Sequence, residues 1–223
     1  MKNKILQSFV VLLLSSHITG QVPVREEPRH KVALKNEYIR LLDVRIAPGD
    51  TSLFHVHQIP SFFIPLSTTM IGWEVQGQPP RESRFPIDST WYNGFENGPL
   101  IHRVWNNDTN VLHVIDLELL ATKNSALSNT IQLPFKIDFE NEKLRVYKFQ
   151  LQAGQVIRLP FIKTPMLLVA VDGANLQLKG SVQKEFIDLK PGSFQWVAPQ
   201  EHVQMSNRDN ISNRSLLILL KWP

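Results

Sequence analysis

The chain of 223 residues has no cysteine, so no disulfide framework supports it and stability must come from a packed core. Nor is there a strong excess of either charge. The formal net charge of +4 includes Lys2 and Lys4 of the leading segment, which leaves little electrostatic drive toward nucleic acid. After residue 20 no apolar run approaches the roughly 20 residues needed to span a bilayer as a helix. Finally, apart from a short stretch near 125–130, no segment sustains the 3.6-residue apolar period of an amphipathic helix. These absences leave an all-β protein as the expectation.

What is present begins with a leader. Lys2 and Lys4 precede the apolar run Ile5 to Leu14, and Ser15, Ser16 and Gly20 follow. This pattern predicts a secretory signal peptide over residues 1–20 and a mature chain starting near Gln21, secreted or periplasmic, with no membrane attachment after cleavage. Three sequons, at Asn107, Asn210 and Asn213, matter only where the compartment glycosylates.

Residues 21–31 read as an arm without periodicity. Leu42, Val44 and Ile46 then alternate with Asp43 and Arg45 and stop at Pro48-Gly49-Asp50, a half-buried strand and its turn. Residues 61–66 and 70–76 give further strands. The Gly- and Pro-rich stretch 76–97 reads as a long connection, and 100–105 with 111–120 as a hairpin around Asn106-Asn107-Asp108. The halves also repeat. Glu37-Tyr38-Ile39-Arg40 and Ala47-Pro48-Gly49 match Glu142-Lys143-Leu144-Arg145 and Gln152-Ala153-Gly154 at a shift of 105, and Pro60 falls on Pro165. With a connection five residues shorter, His102 falls on His202. Two similar all-β units are expected, 21–120 and 142–223, joined by a linker over 121–141.

The histidines carry the chemistry. His55 and His57 are two residues apart on a strand and point to one face with Leu53; His102 lies in another alternating segment, with Leu100 and Val104 on its own face. Together they make a candidate three-histidine metal site. His113, on a face with Val111, Ile115 and Leu117, reads as a core histidine hydrogen-bonded to a neighbour or one lining the interior near the metal. Asp116 and Glu118 alternate with apolar neighbours and read as solvent-facing. Trp73, Trp91, Tyr92 and Trp105 read as core or rim aromatics, with a small-molecule platform as the sharper option.

These motifs resemble the cupin superfamily. Gly49, five residues, His55 and His57 fit its first motif, and His102 with Asn106 fits its second. The resemblance covers both halves and implies a bicupin, two tandem antiparallel jelly-roll barrels, with a metal held by His55, His57 and His102. The family's acidic ligand would fall at Ser61 or Phe62 and is missing, with Glu74 or Glu96 as substitutes from elsewhere. In the second unit Pro160 and Ile162 stand for His55 and His57, so that unit should hold no metal, and His202 reads as a relic. Neutral imidazoles suit iron or zinc, then copper or nickel, over manganese. An open coordination position would let the metal activate water or bind a substrate oxygen and dioxygen, and the resemblance to cupins with three-histidine sites implies a metal-dependent dioxygenase-type reaction on a small molecule. The alternative is a non-catalytic module binding a sugar or similar ligand, or a structural module. A homodimer is compatible with any of these.

Overall fold

The computed structural model describes residues 21–120, 133–161, 163–180, 185–198 and 202–221. Apart from a three-residue 3-10 turn at Val24–Glu26, every helix or strand among them is a strand. The first unit runs β1 (Val22–Pro23), β2 (His30–Lys35), β3 (Ile39–Ile46), β4 (His55–His57), β5 (Ser61–Pro65), β6 (Thr69–Val75), β7 (Arg81–Phe85), β8 (Trp91–Asn93), β9 (Leu100–Asn106) and β10 (Leu112–Leu119). The second runs β11 (Lys136–Glu140), β12 (Leu144–Leu151), β13 (Val156–Arg158), β14 (Met166–Gly173), β15 (Leu176–Lys179), β16 (Ile187–Leu189), β17 (Phe194–Val197), β18 (Gln204–Ser206) and β19 (Asn213–Leu220).

Each unit consists of two facing sheets. In the first their orders are β1-β4-β9-β6-β7 and β2-β3-β10-β5-β8; in the second they are β11-β12-β19-β14-β17 and β13-β18-β15-β16. Pairing is antiparallel except for the two-residue β1 against β4. The alternation expected in β3 is present, but β10 is buried along all eight residues because both of its faces are covered. Leu112 and Val114 pack with Val44, Ile46 and Ile71 inside the first unit. Ile115, Leu117 and Leu119 point the other way, into an apolar cluster shared with Val146, Leu167 and Ile218 of the second unit. The two units are thus joined sheet against sheet, so each has an inner apolar layer and a common one between them.

The 105-residue shift has a structural basis. Asn36 Oδ1 accepts the backbone N–H groups of Tyr38 and Ile39, as Asn141 Oδ1 accepts those of Lys143 and Leu144. Gly49 and Gly154 sit at φ +73° and +74°, the left-handed region that a side chain resists, and close equivalent turns. Later in the repeat the shift becomes 101. Asn106 Nδ2 donates to Ile46 O and Asn110 O, and Asn207 Nδ2 to Leu151 O and Ile211 O. This register puts Val203, not His202, at the place of His102.

Three other expectations change. The segments at 100–105 and 111–120 do not form a hairpin: β9 pairs with β4 and β6, β10 with β3 and β5, in opposite sheets. The buried Asn106 amide satisfies one carbonyl of the connection, Asn110 O, and one at the end of β3, Ile46 O, which ties the crossing between the sheets in place. The stretch 76–97 contains β7 and β8. Residues 136–140, inside the expected linker, form β11 on the edge of the second unit. The short turn expected at 125–130 lies outside the described residues.

Between β7 and β8 the chain rests on the second unit. Asp88, at φ +70°, meets Lys148 Nζ at 3.3 Å and Arg214 at 3.8 Å, and Thr90 Oγ1 donates to Asp138 at 2.8 Å.

Candidate metal centre

His55 and His57 are 0% and 2% exposed on β4, and His55 pairs across the sheet with His102 of β9. Two-residue periodicity turns both β4 imidazoles inward; Leu53 precedes the strand and is exposed instead. The rings of His55 and His57 lie 5.0 Å apart, and that of His102 lies 4.5 Å from His55 and 5.0 Å from His57.

A fourth imidazole joins them from the segment read as an arm. His30, buried at the start of β2, has its ring 4.6 Å from that of His55. Donor atoms of His30, His55 and His57 all lie within 4.8 Å of one another, a buried three-histidine cluster capable of coordinating a metal ion. His102 flanks two of its members.

The nitrogens are oriented for this. Glu27 Oε2 accepts His30 Nδ1–H at 2.7 Å, and Leu53 O accepts His55 Nδ1–H at 2.9 Å, which leaves Nε2 of each ring to face the interior; such outer contacts fix tautomer and ring direction in metal sites. Burial opposes ionisation of Glu27, but the hydrogen bond and charge of His30 and the N–H groups of Arg29 and Leu53 outweigh it and hold its pKa at about 2. Burial pulls His55 down to about 4, aided by His30. Burial, then the neighbouring imidazoles, draws His57 and His102 well below the usual histidine range. All three are therefore neutral donors at neutral pH.

Several buried atoms lack a partner: His55 Nε2, His57 Nδ1, His102 Nε2 and both carboxyl oxygens of Asp116. Unpaired buried polar atoms cost free energy, and a cation among these nitrogens would remove much of that cost. The donor set fits a divalent metal.

Asp116 corrects the expectation of a solvent-facing side chain. It is 1% exposed, with Oδ2 3.5 Å from His57 Nδ1. Burial, reinforced by the charge of Glu118, raises its pKa to about 8. Glu118 is likewise buried, ion-paired with Arg40. The carboxyl near the histidines is thus Asp116. Glu74 is instead engaged by Arg103 at 2.7 Å, Glu96 is exposed, and Ser61 donates to Ile59 O. His113 Nε2–H donates to Asp43 Oδ1 at 2.7 Å on the face toward the second unit, a core histidine away from the cavity. His202 is exposed beside Phe161. Pro160 is exposed too, Ile162 lies outside the described residues, and no metal-type cluster occurs in the second unit among the described residues.

The histidines and Asp116 line a cavity of about 300 Å³ whose other walls are apolar and aromatic, including Trp73 and Trp91. Tyr92 instead stacks on Phe139 between the units, and Trp105 covers Gly72, where a Cβ would lie 2.0 Å from the indole.

No family model matches the sequence, nor does any curated protein. Solved structures do match. AerE from Microcystis aeruginosa superposes with a TM-score of 0.58 at 12% identity, covering 87% of this chain and 98% of its own. A cupin 2 conserved barrel domain protein from Leptotrichia buccalis gives 0.54 at 10%, covering 84% and 86%. Salicylate 1,2-dioxygenase from Pseudaminobacter salicylatoxidans gives 0.57 at 11%, covering 83% and 71%. The chain shares the fold of these cupin structures, as two similar antiparallel units in the manner of a bicupin, with a buried histidine triad in the first.

Proposed function

We propose that the first unit closes as a jelly-roll barrel around one divalent metal, held by His30, His55 and His57 with His102 beside them, and that the protein is a metal-dependent oxidoreductase acting on a small molecule. The observation that carries this is the set of four buried imidazoles at the end of a cavity, three of which, His55, His57 and His102, have a buried nitrogen without a partner. The solved cupin-fold structure titled as a dioxygenase supports the reaction class. All-imidazole donors favour iron or zinc, then copper or nickel. When bound, the metal supplies Lewis acidity and, if iron, one-electron chemistry.

The chain's own groups do the rest. Glu27 and Leu53 O fix the rings of His30 and His55. Phe95 stacks on His57 at 5.7 Å and shields it from water. The Asp116 carboxyl, which burial keeps protonated in the metal-free protein, places an oxygen 3.5 Å from His57 Nδ1, where a proton can be held or released. The apolar walls keep the site dry and strengthen every electrostatic contact within it. We place the protein outside the cytoplasm, as the leader suggests, with no nucleic-acid partner.

Elemental analysis of untagged protein tests the reading. About one metal per chain is expected in the wild type, lost in His57→Ala with the β-sheet signal unchanged; a variant that keeps its full metal overturns the assignment. Iron-dependent oxygen consumption in a substrate screen then tests catalysis. Saturable ligand binding indifferent to chelator, with no turnover, marks a binding module instead.

A further inference from the structure

The cavity has two unlike parts. Its polar side chains, the four histidines and Asp116, are gathered at one pole. The remaining lining is hydrocarbon or aromatic, and no lysine or arginine contributes to it. From the pole a series of rings leads outward. Phe63 meets His57 edge to face at 5.8 Å and stacks on Trp91 at 4.9 Å and 12°; Trp91 meets Phe85 at 5.3 Å, and Phe85 meets Trp73 at 6.0 Å. Trp91 is 36% exposed, so the series reaches from the buried histidines to the surface.

This construction selects by chemistry. A sugar needs donors and acceptors around its whole perimeter, and beyond the histidine pole the lining side chains offer no acceptor and only the indole N–H groups of Trp73 and Trp91 as donors. A di- or tricarboxylate or a phosphate ester needs cationic side chains beyond a single metal, and none lines the cavity. A planar ring gains from offset or edge-to-face contact with successive aromatic neighbours. Size narrows the choice, since a cavity on the order of 150 Å³ accommodates benzene, and about 300 Å³ leaves room for a substituted ring or two fused rings.

We infer that the cavity binds a one- or two-ring aromatic molecule carrying oxygen at one end, with that oxygen toward the histidine pole and the rings along Phe63 and Trp91. This rests on the reading of the histidine pole as the functional end of the cavity, and it extends that reading to the substrate class.

The probe is 1-naphthol, titrated calorimetrically into the full mature chain, with glucose and oxalate as controls. One saturable site for naphthol and no heat from either control is expected. Trp91→Ala, at a partly exposed position that does not threaten folding, should weaken naphthol about tenfold, and Phe63→Leu by severalfold. His55→Ala should weaken naphthol severalfold, because the ligand oxygen loses its partner at the pole, whereas Val156→Ala, at an exposed position of the second unit, should leave the affinity unchanged. Naphthol affinity unchanged in both wall variants, or glucose or oxalate binding as tightly as naphthol, overturns the inference. Absence of metal in the wild type with wall-dependent naphthol binding overturns the metal reading alone.

Discussion

The two units share a skeleton and differ in what they enclose. Asn36 and Asn141, Gly49 and Gly154, Asn106 and Asn207 do the same backbone work in each. At equivalent interior places the first unit has Asp116, Glu118 and His102 where the second has Leu217, Leu219 and Val203. The second also has Tyr147 and Phe149, both buried, where the first has Leu42 and Val44. Larger apolar side chains fill one interior; smaller ones and polar ones leave a cavity in the other. Side-chain amides that satisfy turn carbonyls hold the framework, and interior volume and polarity then decide between a core and a site.

The sharpest way to break this contrast is to give the second unit the first unit's carboxyl. Leu217→Asp places an unpaired acid in a close-packed apolar core, and a loss of about 3–5 kcal/mol or outright unfolding is expected by urea denaturation. The reverse exchange should stabilise. In metal-free protein, Asp116 keeps its proton up to about pH 8, whereas in the unfolded chain it ionises near pH 4. The unfolded state is therefore favoured progressively as pH rises between those values, and stability levels off above about 8. The buried imidazoles act oppositely. Below about pH 6.5 the unfolded chain takes up protons that folded His55, with its pKa near 4, refuses, so stability falls toward acid. Between pH 6.5 and 8 the Asp116 effect stands alone of these, at about 1.4 kcal/mol per pH unit. Asp116→Leu should flatten that limb and leave the acid limb in place, as read from denaturation midpoints across pH; an unchanged slope would refute the buried, protonated carboxyl. The mildest of these changes in shape is Glu27→Gln, which keeps a hydrogen bond to His30 but loses the charge that His30 and Arg29 pair with. Metal affinity should drop about 10- to 100-fold by chelator competition, while second-unit spectroscopic signals do not move.

The same comparison explains what was legible in the sequence. Stretches with one wetter face, such as residues 42–46 of β3, announce themselves through alternation, and the repeat at 105 is legible because turns need particular residues. The phase of β10 did not. With both faces buried, alternation of Asp116 and Glu118 with Ile115 and Leu117 cannot say which set faces the interior, and the acids were assigned to solvent. His30 was hidden for a related reason. Its neighbours Lys31, Val32 and Ala33 on an edge strand are all exposed, so no apolar rhythm marked the strand that carries it. The pairing of β9 and β10 with different partners also escaped, since periodicity reports faces and not neighbours in a sheet.

The segment between β7 and β8 carries Phe85 at one end and Trp91 at the other, both walls of the cavity, while its middle, Asp88, is held by Lys148 and Arg214. The second unit thus serves as the jig in which the mouth of the first is set. A change at Lys148 or Arg214 is therefore expected to reach the mouth through Asp88 while the histidine pole stays in place.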